Sequence, residues 1–204
     1  MTSTDLSTTP PRQPGDHQPR CIDIDAAERA ARQLLHALGI DLDNEALRKT
    51  PRRMATAYAE FFTPRPFELT TFPNDDAYDE LVVARGIPMQ SVCEHHLLPF
   101  HGTAVVGYLP GTRILGISKL ARVVEHFASR LQVQERLTQQ VASWLTQHLQ
   151  PKGVGVLIAA QHACMNLRGA RARDATTITS AMHGTLRTDA RSRQEFLALA
   201  RGPS

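Results

Sequence analysis

The sequence predicts an α+β chain: one four-stranded antiparallel sheet with two helices on one face, preceded by a helical segment. Three observations carry this. Apolar residues recur at helical spacing in residues 25–38 and again after Thr50. From Leu81 the pattern turns to β-rich, alternating runs. The order from there is strand, strand, helix, helix, strand, strand, which groups like elements instead of alternating them.

The first helix is expected over residues 25–38. Ala27, Ala30, Ala31, Leu34, Leu35 and Leu38 form one stripe, Asp25 is the expected N-cap with Glu28 three residues on, and Gly39 is the stop. Thr50-Pro51 opens a second helix, a cap followed by an N1 proline. Its inward set is Met54, Ala57, Tyr58, Phe61 and Phe62, and Pro64 and Pro66 end it. Residues 63–80 read as connection. Residues 81–93 form a strand in which Gly86 and Pro88 mark a bulge or an edge. Residues 101–109 are its hairpin partner, closed by a turn at Pro110-Gly111. Ser118 caps a helix with Leu120, Val123, Val124, Phe127, Ala128 and Leu131 inward, and residues 134–149 form the next. Strands follow at 153–164 and 176–188, and Asp189 caps a short terminal helix.

This divides the chain into a tail at 1–21, a helical segment at 22–80 and a catalytic part at 81–204. The tail is Thr, Ser, Pro, Gln, Asp and Arg with little to bury, so it is expected to be disordered. Its start has neither the basic opening nor the apolar stretch of a secretory signal.

Composition excludes several classes. The formal net charge of +3 is too small to mark a nucleic-acid binder, and aromatics at 5% are too sparse for a base-stacking platform. No apolar run reaches the ~18 residues of a membrane span. Three cysteines cannot all pair within one chain. The expected setting is therefore a reducing cytoplasm, where Cys and His clusters more often bind metal.

The chemistry centres on Ser91-Val92-Cys93-Glu94-His95-His96-Leu97-Leu98-Pro99-Phe100-His101. On a strand Cys93 and His96 point oppositely; in one helical turn or a tight loop they converge. Cys-x-x-His is half of a tetrahedral metal site. Cys21 borders the tail, so Cys164, in His162-Ala163-Cys164, is the expected third ligand. Three protein ligands leave zinc a fourth position for water, the catalytic arrangement. The bland alternative is a buried thiol beside surface imidazoles; the ordered Cys-Glu-His-His with a distant His-x-Cys argues against it.

These motifs, with Gly116-Ile117-Ser118-Lys119-Leu120, Gln132-Val133-Gln134-Glu135-Arg136-Leu137-Thr138 and Arg168-Gly169, resemble the GTP cyclohydrolase I family over residues 22–201. The resemblance implies the tunnelling fold, in which sheets of several subunits join into a barrel, and a homodecamer of two pentamers. It implies a GTP substrate, zinc held by Cys93, His96 and Cys164, and catalytic His95 and His162. It also implies base recognition by Gln134 and Glu135, and triphosphate binding by Ser118, Lys119, Arg122 and Arg168. The reaction implied is hydrolytic opening of the GTP imidazole ring with loss of formate. A carboxylate suits guanine because N1–H and the exocyclic amine both donate; a helix N-terminus suits phosphate. Glu94 is expected either to orient a ligand imidazole or to lie on the surface. His101 and His183 are assigned ordinary solvent or core hydrogen bonding. Val105 occupies a hairpin position often polar or histidine in relatives, with an expected effect on packing.

A related pterin or deazapurine enzyme of the same fold is the nearest alternative, disfavoured by the Cys-Glu-His-His and His-x-Cys pair. A zinc-stabilised nucleic-acid module would need a fourth sequence-close ligand and a basic stripe, and neither is evident.

Overall fold

The computed structural model describes residues 21–201. All of the tail expected at 1–21 except Cys21, which is exposed, lies outside the described residues. Two N-terminal helices come first, α1 (Ile24–Ala37) and α2 (Thr50–Phe61). The cap of α1 is Asp23, not Asp25: its carboxylate accepts from Ala26 N at 2.9 Å, and its own backbone is extended. Gly39 ends the helix at φ 76, a left-handed conformation that suits glycine. Of the expected stripe only Ala31 is buried, and Leu34 and Leu38 stay exposed. The helix instead packs on α2, where Arg52 bonds Asp25 and Glu28. On α2 the buried alanine is Ala55; Ala57, expected inward, is exposed.

The expected connection at 63–80 contains a short strand, β1 (Thr71–Pro73). Next come β2 (Val82–Cys93), β3 (Pro99–Leu109) and β4 (Arg113–Leu115), and β1 pairs with β4 in a sheet of its own. Then follow α3 (Ser118–Ala128), β5 (Leu131–Gln132), α4 (Gln134–Leu149), β6 (Gly153–His162), α5 (Ala163–Asn166), β7 (Thr177–Gly184), α6 (Thr185–Thr188) and α7 (Ala190–Arg201). The expected strands to 164 and 188 therefore end early, each in a short helix. Ser118 is the first helical residue of α3 and not its cap, which is Ile117.

The main sheet has five strands, not four, in the order β5-β2-β3-β6-β7. The expected antiparallel four are β2, β3, β6 and β7; the fifth is β5, which pairs in parallel with β2 only at Val92 and Cys93. The bulge read from Gly86 is present, with the β2–β3 register shifting between Ala84 and Ile87 and Gly86 at φ 66.

Alternation sorts the sheet's faces. Ala104, Val106 and Tyr108 of β3 join Leu120, Val124, Leu137, Val141 and Leu145 of α3 and α4 in the principal core. The opposite face is covered too, which the sequence did not suggest. There Val105, Met182, Leu186 and Phe196 form a second cluster beneath α7. Gly107 and Gly155 lie directly opposite each other across β3 and β6. They leave a flat bed for the Phe196 ring: a Cβ on Gly155 would stand 2.9 Å from Phe196 Cζ. Val105 thus belongs to a packing cluster, as expected.

Candidate metal centre and its surroundings

The turn after β2 makes the first half of the site. Leu97 N donates to Cys93 O at 2.9 Å, closing one helical turn, and Cys93 N donates to Leu98 O at 2.9 Å. Leu97 takes φ 54, so the chain reverses sharply into β3. This turn brings Cys93 Sγ and His96 Nδ1 to 3.9 Å. Tyr58 on α2 braces it from outside, its hydroxyl donating to Leu97 O at 2.8 Å.

The second half comes from the end of β6. Phe100 and His162 are cross-strand partners, so the hairpin register carries the start of α5, and Cys164 with it, to the Cys93 turn. One donor atom each from Cys93, His96 and Cys164 lies within 4.8 Å of the others. Cys93 is buried, Cys164 half-buried and His96 exposed, so the group opens outward. The donor set fits a metal: two sulfurs and one imidazole suit a soft or borderline divalent ion and leave a coordination position open. Burial pushes the Cys164 thiol up, Cys93 alongside adds to this, and Arg168 opposes it.

His162 is held on two sides. Its ring stacks on Phe100 at 4.5 Å and 6°. Its Nε2 lies 2.8 Å from Gln134 Oε1. Burial lowers its pKa, and the nearby charge of Glu135 works against that. Glu135 is exposed in the first turn of α4. Gln134, expected beside the base, is 1% exposed, and its amide is engaged within the chain.

His95 is largely exposed and its Nε2 stands 3.9 Å from Glu94 Oε1. The other Glu94 oxygen accepts from Arg136 Nη2. Glu94 thus joins Arg136 to the neighbourhood of His95. Ser118, Lys119 and Arg122 occupy the first turn of α3, and Arg122 Nη1 lies 3.6 Å from Glu125. Among the described residues no hydrogen bond or ion pair joins those three to the Cys93–His96–Cys164 group, whereas the charge of Arg168 is felt at Cys164. His183 is half-buried and bonded to Gln139 and Thr146, and His101 is exposed, both as expected.

Two partners escaped the sequence reading. Phe100 could have been found from the hairpin register, since four residues after His96 it must enter the next strand. The contacts of Gln134 with β6 and β7 had no local signal.

A family model described as GTP cyclohydrolase I matches residues 27–201. The chain is 52% identical over 178 residues to a GTP cyclohydrolase 1 of Mycolicibacterium vanbaalenii, covering 85% of this chain and 88% of that one. It is 44% identical over 181 residues to the protein of the same name from Aquifex aeolicus, covering 89% and 98%. With that from Nitrosospira multiformis it shares 51% over 173 residues, 82% and 91% of the two chains. With this match running from within α1 through α2, the sheet and the Cys93–His96–Cys164 group, the chain belongs to the GTP cyclohydrolase I family of hydrolases.

Proposed function

We propose that the chain is a zinc-dependent GTP cyclohydrolase I. It opens the imidazole ring of GTP at C8, releases formate and yields 7,8-dihydroneopterin triphosphate, the first step towards folates and pterins. The observation that carries this is the convergence of Cys93, His96 and Cys164 beside the clamped His162, in a chain of this family. A zinc ion held by those three residues would acidify water and supply a nucleophile near neutral pH. His95 and His162 move protons to the purine nitrogens and from oxygen, a task suited to imidazoles. Glu135 accepts from N1–H and the exocyclic amine of guanine, with Gln134 behind it. Ser118, Lys119, Arg122 and Arg168 hold the triphosphate.

The working form is an oligomer, a decamer of two pentamers. Support comes from the sheet's edges: among the described residues β7 pairs only with β6, and β2 is covered by β5 at two residues only. Sheets of neighbouring copies would pair there and remove both edges. The division into a tail at 1–21, a helical segment at 22–80 and a catalytic part at 81–204 belongs to the same proposal. So does a cytoplasmic location; among the described residues no helix is long and apolar enough to cross a membrane. Incubation of zinc-loaded protein with GTP tests the reaction. Formate and a pterin that fluoresces after oxidation should appear together. Metal-replete protein that releases no formate from GTP would overturn the reading.

A further inference from the structure

Gln134 has an amide whose orientation is decided by its neighbours. Its Nε2 lies 3.0 Å from Ile158 O, 3.0 Å from Thr177 O and 3.2 Å from Thr179 Oγ1. The first two are backbone carbonyls, which only accept. Turning the amide over would set its oxygen against both at a buried position, an arrangement with two lost hydrogen bonds and lone pairs facing lone pairs. The NH2 group must therefore face β6 and β7, and Oε1 must face His162. Because Oε1 only accepts, the 2.8 Å contact requires a proton on His162 Nε2. Flipping the imidazole in its place would put a carbon against Oε1 and forfeit the bond. The parallel stack on Phe100, itself fully buried, holds the plane of the ring.

We infer that Gln134 is a positioning residue that fixes neutral His162 as its Nε2–H tautomer and leaves Nδ1 as the nitrogen with the free lone pair. The link to catalysis rests on the proton-transfer role proposed above for His162; the tautomer itself does not. Gln134 then acts on the reaction through the histidine. It spans α4, β6 and β7, so the proton on His162 is placed by the sheet and not by a mobile side chain. The chain's other candidate for proton transfer, His95, is largely exposed and has no such clamp.

The test uses the full chain, zinc-loaded and carrying 13C-labelled histidine. The Cδ2 shift of a neutral imidazole differs between the two tautomers, and the His162 signal is the one missing from His162→Gln. The parent should show the Nε2–H value above the titration range. In Gln134→Leu the signal should move towards a mixture of tautomers. Formate release at saturating GTP should fall by about ten- to a hundredfold, part of the ~10²–10⁴ a placed acid–base contributes, with KM changed little. An Nδ1–H signal in the parent would overturn the inference, and needs no variant to fold. So would an unmoved His162 signal in Gln134→Leu. Protein with the Nε2–H signal but no formate release would leave the tautomer standing and remove the proposed reaction instead.

Discussion

Phe196 offers a quantitative check on the second core. Its ring is fully buried on α7 and rests on Gly107 and Gly155. Replacing a buried Phe by Ala costs about 3–5 kcal/mol, depending on how far the site collapses. Collapse is poor here, because two glycines on the sheet side have no side chain to swing into the hole. Phe196→Ala should therefore fall in the upper part of that range. Gly155→Ala works in the opposite sense. Its methyl would lie 2.9–3.0 Å from Phe196 Cζ, Cδ1 and Cε1, so the ring must lift, at about 1–3 kcal/mol. In the Phe196→Ala background the same methyl enters empty space, and the cost should vanish or reverse slightly, since alanine is favoured over glycine in a strand. Guanidinium unfolding at fixed protein concentration, followed by fluorescence of the single tryptophan, Trp144, gives all four corners of the cycle. Equal costs for Gly155→Ala in both backgrounds would refute the packing argument.

Four further outcomes are expected. Glu135→Gln should lose most of its kcat/KM for GTP, because sites built on such hydrogen bonds discriminate by roughly 10⁴–10⁵; a parent that turns over ATP as fast as GTP would deny Glu135 its part. Arg168→Ala should weaken GTP binding in calorimetry by about ten- to a hundredfold, given roughly 1.5–3 kcal/mol per charged hydrogen bond. His162→Ala should bind GTP and fail to release formate, and the reverse pattern in the two variants would exchange their roles. His183 supplies a pH dependence. Burial first, then Arg187, holds its pKa below the ordinary value, so the folded state favours the neutral ring. Its contribution is complete above the unfolded value of about 6.5 and is lost as pH falls through the lower folded value. Between about pH 7.5 and pH 5 the parent's urea midpoint should drop more than that of His183→Gln; parallel drops would exclude this histidine as the cause.

The sequence was most readable where a local rule decides. Helix α4 spans Gln134–Leu149 as expected, since Leu137, Val141, Trp144, Leu145 and Leu149 all point to one side. The bulge at Gly86 and the Cys93–His96 turn follow from residue type and spacing. Where tertiary pairing decides, the reading fell short. Strand β5 is two residues long and exists because Cys93 and Gln132 come side by side. The strand expected to run to Cys164 stops at His162, and the α5 turn that follows carries the third sulfur towards the other two. The apolar stripe of α1 was visible, but its exposure was not, because burial of that face is settled by what else the fold places nearby. At the site, the grouping of Cys93, His96 and Cys164 could be read from Cys-x-x-His and His-x-Cys, whereas the Gln134 contacts join residues 24 to 45 positions apart and leave no trace in local spacing.

The bond from Tyr58 to Leu97 makes α2 a strut for the loop it touches. The residue whose carbonyl receives the hydroxyl is also the one whose nitrogen closes the turn on Cys93 O. A tilt of α2 would thus load the hinge between the Cys93 thiol and the His96 imidazole, two of the three groups gathered there. Boundaries drawn at residue 80 would sever that strut, and a chain shortened to its sheet and later helices would keep every sulfur and imidazole of the centre while losing the external support of the turn that aligns two of them.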